Sequence, residues 1–417
     1  MGQRSAQAAG NEAGREKAPG VLLFVLIAAM AVGVVFNFGV TSMSAPLIDT
    51  FGITDGQFGI ILSTIFLSAG LTATLLGVLA DRLRSIVQLG IIMLGTLAAF
   101  LLTIFWHTFA GFIVAALLVG PAQAMSNPVT NRLIATRVPK AQRSAWMGWK
   151  QSGVQMGMLV AGLTFPIIGT LGGWTAAATF GAAISAVCFG ITWLVLRRLR
   201  RTSDGGAAPK TGAIATPGEP AKLPPAVWVF ACISFLNAVG TQGVNSYVSL
   251  FSIREFGFPV ELGGLVIGVI GVVGILSRVG WSRVNGNWGR PAPLISIMSL
   301  GGIAGLGALS LASITGQSWL VWVGIAMHAG LPLAANVVIN SGIVMSAPPS
   351  KIGIASGLVA AGMYLGFAAG PAVIGWFVDH TGGFLASWGA VACTYVLCFL
   401  LALVLAYLQR GDRRPMR

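Results

Sequence analysis

Twelve apolar stretches, each about as long as a helix needs to cross a bilayer, follow one another along this chain with only short polar breaks between them. A hydrocarbon core about 30 Å thick takes roughly 20 apolar residues as a helix. Inside it every backbone N–H and C=O must be satisfied within the protein, which restricts a chain of this pattern to a bundle of transmembrane helices. The predicted spans are 21–45, 57–80, 86–106, 109–132, 142–168, 174–196, 226–250, 262–284, 292–314, 319–345, 352–377 and 384–408. Composition agrees, with 55% of the 417 residues hydrophobic and 9% charged, where soluble domains carry about 25% charged residues.

The formal net charge of +14 would raise the question of nucleic acid in a soluble chain. Here the charges mark topology. Of the 25 Lys and Arg, all but Lys150, Arg278 and Arg254 fall on alternate connections or tails. The positive-inside rule makes that side cytoplasmic and puts both ends of the span series there. A basic segment before an apolar run also resembles a signal peptide, but this run is too long and its counterpart recurs as the seventh span, so a retained helix is expected. Cys188, Cys232, Cys393 and Cys398 lie within spans without metal-ligand spacing and read as packing thiols. No metal or cofactor is expected.

Residues 197–225 interrupt the pattern: Arg197, Arg198, Arg200 and Arg201 lead into a stretch rich in Gly, Pro, Ala and Thr, the composition of a flexible linker. It divides the spans six and six, giving an N-terminal tail (1–19), a first six-helix bundle (20–196), the linker (197–225), a second bundle (226–409) and a tail (410–417). The halves repeat. Phe51-Gly52 and Asn37 recur as Phe256-Gly257 and Gln242 at an offset of 205. Gly148, Gly153 and Gly157 match Gly357, Gly362 and Gly366, and Asn127 and Asn131 match Asn336 and Asn340, at an offset of 209. Rare residues coinciding at nearly one offset imply two parallel copies of a six-helix unit.

The segment Gly77-Val78-Leu79-Ala80-Asp81-Arg82-Leu83-Arg84 between the second and third spans resembles the cytoplasmic loop signature of the major facilitator superfamily, G-x-L-a-D-r-x-G-r. Arg84 and Ser85 depart from its last two positions, and in the matching loop after span eight Gly286 takes the place of the aspartate. The resemblance covers residues 20–410. It implies an all-α membrane protein with twelve transmembrane helices in two bundles, the major facilitator fold. It also implies a gating role for Gly77, Asp81 and Arg82, in which Asp81 takes charge-assisted hydrogen bonds from the facing bundle in one state only. The alternative is a tight turn with a solvated aspartate. Glycines in spans five and eleven, through Gly366, Gly370 and Pro371, partly resemble those of exchangers in the superfamily; close helix packing is the favoured account of them, and they do not by themselves establish antiport.

A charge within the bilayer costs at least about 2.5–3.5 kcal/mol and marks a site. Lys150 stands about nine residues into span five, roughly 13 Å deep, with Gln151, Ser152 and Gln155 forming a polar face beside it. It is expected in the cavity or, alternatively, snorkelling to headgroups. Arg278 stands eight residues before the degenerate motif position in span eight, a placement that resembles the substrate arginine of nitrate- and oxalate-type facilitators. Ala73 occupies the matching position in span two, so the arginine pair of nitrate carriers is incomplete. Arg278 is expected either at the substrate or in a structural ion pair. No carboxylate falls in mid-span: Asp49, Asp55, Glu255, Glu261 and Asp379 sit at outer helix ends. Buried cations without a mid-span carboxylate suit an anion and not a cation. Asn37, Gln242, Asn245, Asn127, Asn131, Asn336, Asn340 and Tyr364 are further candidates for lining the cavity, with interhelical hydrogen bonding as the alternative role. His328 is the candidate for proton coupling, as the one mid-span group that ordinarily titrates near neutrality; a hydrogen-bonded packing residue is its alternative role, and Asp49, Asp379 or the solute's own proton are the alternative carriers.

The expected function is secondary transport of a small, carboxylate-type anion by alternating access, in a monomer set in the lipid of a bacterial-type inner membrane, with a resemblance to small-anion permeases of the cyanate, nitrate and organic-anion kind. The alternative within the class is efflux of apolar, drug-like compounds. A membrane enzyme would need a cluster of catalytic groups at membrane depth, and the three histidines, His107, His328 and His380, are scattered. No catalytic residue is therefore expected, no phosphate-binding loop is visible, and a transporter-like sensor would lack an attached signalling domain.

Overall fold

The computed structural model describes residues 20–139, 142–201, 223–348 and 351–411. The tail at 1–19, most of the predicted linker and the last residues of the C-terminal tail lie outside them. Among the described residues all regular structure is helical. The first span, Gly20–Ser42, breaks at Met43 and continues as Ser44–Phe51. Spans two to four are Asp55–Arg82, Ser85–Phe105 and Phe109–Arg137. Spans five and six form one helical run, Arg143–Arg201, interrupted at Gly172 and Gly173, the latter at φ +62°. The 11 long apolar helices therefore supply the twelve expected spans. Spans seven to nine are Pro225–Phe256, Val260–Trp288 and Pro291–Thr315, and spans eleven and twelve are Ile352–Thr381 and Leu385–Gly411.

Span ten is discontinuous. Trp319–Gly330 gives way to a 3₁₀ turn at Pro332–Ala334 and resumes as Ala335–Ser346. Pro332 has no N–H to give to the preceding turn and the 3₁₀ turn changes the ladder's register, so carbonyls at the break are taken up by neighbours. Gly330 O accepts from Ser277 Oγ at 2.7 Å and Trp281 Nε1 at 2.8 Å, and Pro332 O accepts from Asn237 Nδ2 at 3.3 Å.

The repeat in the sequence is a repeat in packing. Gly52 and Gly257 both end their helices in the left-handed conformation, at φ +58° and +65°, which glycine adopts without steric cost. A Cβ at Gly153 or Gly157 would fall 2.6 or 2.7 Å from the carbonyl oxygens of Ile27 and Ala31. At Gly362 or Gly366 it would fall 2.8 or 2.2 Å from those of Ala231 and Phe235. Spans five and eleven thus lie against spans one and seven at backbone contact, as small residues permit.

The buried apolar residues show which way the molecule is open. On the outer half a single core runs through both bundles, with Phe58 and Tyr247 edge to face at 5.8 Å. On the half bearing the Lys and Arg the core divides in two, one around Leu89, Met125 and Leu133, the other around Phe230, Ile295 and Ile339. The bundles meet outside and part inside, an inward-facing arrangement.

Candidate functional site

A cavity of about 150 Å³ lies between the bundles at mid-membrane. Met30, Val34, Phe38, Phe66, Met158, Leu333, Met363 and Phe367 supply apolar walls. Of the residues named from the sequence as cavity candidates, Lys150, Asn131 and Asn340 do not line it, whereas Asn37, Asn127, Gln151, Gln242, Asn245, Arg278, Asn336 and Tyr364 do. Gln123, Ser126, Gln155 and Thr241 join them. Gln155 was already visible on the polar face of span five. Gln123, four residues before Asn127, gave the same signal in span four, a lone amide in an apolar run.

Lys150 is buried, with its Nζ donating to Asn127 Oδ1 and Thr130 Oγ1 at 3.0 Å and to Asn131 Oδ1 at 2.5 Å. Gln151, Gln155 and Met158 recur at helical spacing and face the cavity. Lys150 stands one residue off that line, rotated by about 100°, and meets span four. Its ammonium reaches the cavity wall only through Asn127.

Arg278 crosses between the bundles, its Nη1 donating to Gln155 Oε1 at 2.8 Å. Among the described residues the one ion pair is Asp55–Arg254, so neither Lys150 nor Arg278 is neutralised by a carboxylate, and the ion-pair alternative for Arg278 is not realised there. His328 lies behind Asn245 with its Nε2 3.1 Å from Asn245 Oδ1, while its buried Nδ1 has no partner. It does not line the cavity. The side chains of Gly77, Asp81 and Arg82 lie outside the described residues, although the backbone there is helical.

A polar contact closes the outer end. Asp55 receives Arg254 Nη1 at 2.6 and 2.7 Å, and its carbonyl accepts from Tyr247 Oη at 2.5 Å. Asp379 Oδ2 accepts from Thr54 Oγ1 at 2.8 Å and from the Gly56 N–H at 2.9 Å, at the start of span two. These bonds join the first bundle to the second. The sequence marked Arg254 as the one cation on the outer side without showing its partner.

The Major Facilitator Superfamily profile matches residues 25–346. No curated protein matches the chain. Among solved structures it is similar to a bacterial homologue of the human lysosomal transporter Spinster in an inward-facing, occupied conformation. That match has a TM-score of 0.72 at 17% identity and covers 97% of this chain and 100% of that one. The unoccupied form of the same homologue gives 0.71 at 18%, covering 95% and 98%. The nucleoside transporter NupG gives 0.74 at 15%, covering 93% and 99%. At these identities the structural likeness speaks for the fold, and the profile match, over most of the chain, for the family. Two six-helix repeats around a central cavity, a broken tenth span and the matched profile agree: the chain belongs to the major facilitator superfamily and is a multi-pass membrane transporter of small-molecule solutes.

Proposed function

We propose that this transporter carries a small carboxylate with an apolar body by alternating access, as a monomer in a bacterial inner membrane. The observation that carries the reading is Arg278: a guanidinium lining the central cavity with no carboxylate partner among the described residues. An unpaired cation at that depth is costly unless an anion joins it, and guanidinium suits the planar, two-oxygen geometry of a carboxylate. Lys150 adds a second unneutralised charge close behind the wall. The phenylalanines and methionines account for the other half of the solute, since about 150 Å³ holds a benzene-sized body. The same apolar walls favour a second reading, export of apolar compounds, which Arg278 does not serve.

Counterflow in proteoliposomes separates the two. Labelled benzoate is expected to exchange, and Arg278→Gln to abolish exchange while the purified protein stays folded. Exchange of a lipophilic dye that is indifferent to Arg278→Gln, with no exchange of benzoate or other carboxylates, would establish the export reading instead. His328 is the proposed coupling group only if benzoate uptake responds to a proton gradient and His328→Gln removes that response.

A further inference from the structure

Five side-chain amides on the cavity wall have one end already engaged, and the end engaged decides what the cavity offers a solute. Gln242 and Gln123 turn their nitrogens to Ser246 Oγ and Gly33 O, both at 3.2 Å, each using one of its two N–H groups there and turning its oxygen the other way. Asn127, Gln155 and Asn245 are the reverse: Lys150 Nζ, Arg278 Nη1 and His328 Nε2 occupy their oxygens. Ammonium and guanidinium groups only donate, so the first two orientations are forced by chemistry. For Asn245 two arrangements exist. If its nitrogen faced the histidine, the ring proton would sit on Nδ1, which is buried without a partner. A buried donor with no acceptor is rarer and less tolerated than an under-used acceptor. The ring therefore donates from Nε2, and the Asn245 nitrogen faces the cavity.

We propose that Lys150 and His328 are positioning residues that hold Asn127 and Asn245 nitrogen-first toward the cavity from behind its wall, making it selective for a carboxylate over a neutral isostere. The selectivity rests on the anion reading above; the orientation of the amides does not. Oxygen-first, the same asparagines would repel a carboxylate beside Arg278. Neither positioning residue touches the solute. The charge of Lys150 acts through Asn127, and the histidine sets the direction of one amide.

Two measurements test this on the full chain. The ¹⁵N spectrum of labelled histidine, with the His328 signals assigned by their loss in His328→Gln, is expected to show the Nε2–H tautomer. An Nδ1–H tautomer would overturn the inference whatever the solute. In binding, wild type is expected to prefer benzoate to benzamide. His328→Leu and Lys150→Met are each expected to lose at least about tenfold of that preference, while His328→Gln, which keeps a donor in reach of Asn245, recovers most of it. An undiminished preference in folded His328→Leu refutes the positioning role. Arg278→Gln losing benzoate in that case would leave the anion reading standing, and a wild type that prefers benzamide would defeat the anion reading while the tautomer still decides the orientation.

Discussion

Replacing Asp379 by alanine should shift the transporter toward its outward-open state. Its carboxylate takes the Thr54 hydroxyl and the Gly56 N–H from the other bundle and also faces the positive end of span two. Hydrogen bonds to a charged group are worth about 1.5–3 kcal/mol. These lie at an exposed helix end, where charged contacts fall to about 1 kcal/mol or less. Both must break when the outer ends separate, so the closed outer end should lose about 1–2 kcal/mol, a five- to thirty-fold change in population. Spin labels at His107→Cys and Gln317→Cys, on outer connections of opposite bundles, with Cys188, Cys232, Cys393 and Cys398 replaced, would read the distance by pulsed electron resonance. Asp379→Ala should enlarge the long-distance population. Asp49→Ala, whose carboxylate makes no hydrogen bond across the bundles among the described residues, should not. Equal distributions in wild type and Asp379→Ala, or equal shifts in both variants, would refute the latch.

Tyr247→Phe removes one neutral bond to the Asp55 carbonyl and should move the same equilibrium less, by about 1 kcal/mol. Gly366→Ala places a methyl 2.2 Å from Phe235 O and should lower the melting temperature in detergent, an overpacking cost of about 1–3 kcal/mol; Gly357→Ala, with open space around it, should not. Removing both donors to Gly330 O, in Ser277→Ala with Trp281→Phe, strands a carbonyl at the span ten break and should cost about 1–3 kcal/mol, read as faster amide exchange around residues 326–335.

The spans, their orientation, the repeat and the absence of a mid-span carboxylate were legible in the sequence because each depends on residue type along one helix. Bilayer thickness fixes span length, charge bias fixes the side, and a repeated glycine spacing reports the same close approach made twice. Most of the amides lining the cavity were legible too, since an amide in an apolar run is costly facing lipid, but Asn131 and Asn340 carry the same signal and do not line it, Asn131 holding Lys150 instead. The partners of those residues were not. Lys150 and Gln151 are neighbours in sequence, yet one meets span four and the other the cavity: composition says that a helix has a polar face, and only its packed neighbours set the rotation of that face. The outer contact joins Asp55 to Arg254 and Thr54 to Asp379, residues with no local pattern linking them, whose meeting depends on the bundles being closed on that side. The sequence thus determined which charges enter the membrane. The tertiary structure decided which of them lines the cavity, because a cation without a carboxylate partner and the cavity around it come together only when both bundles are in place.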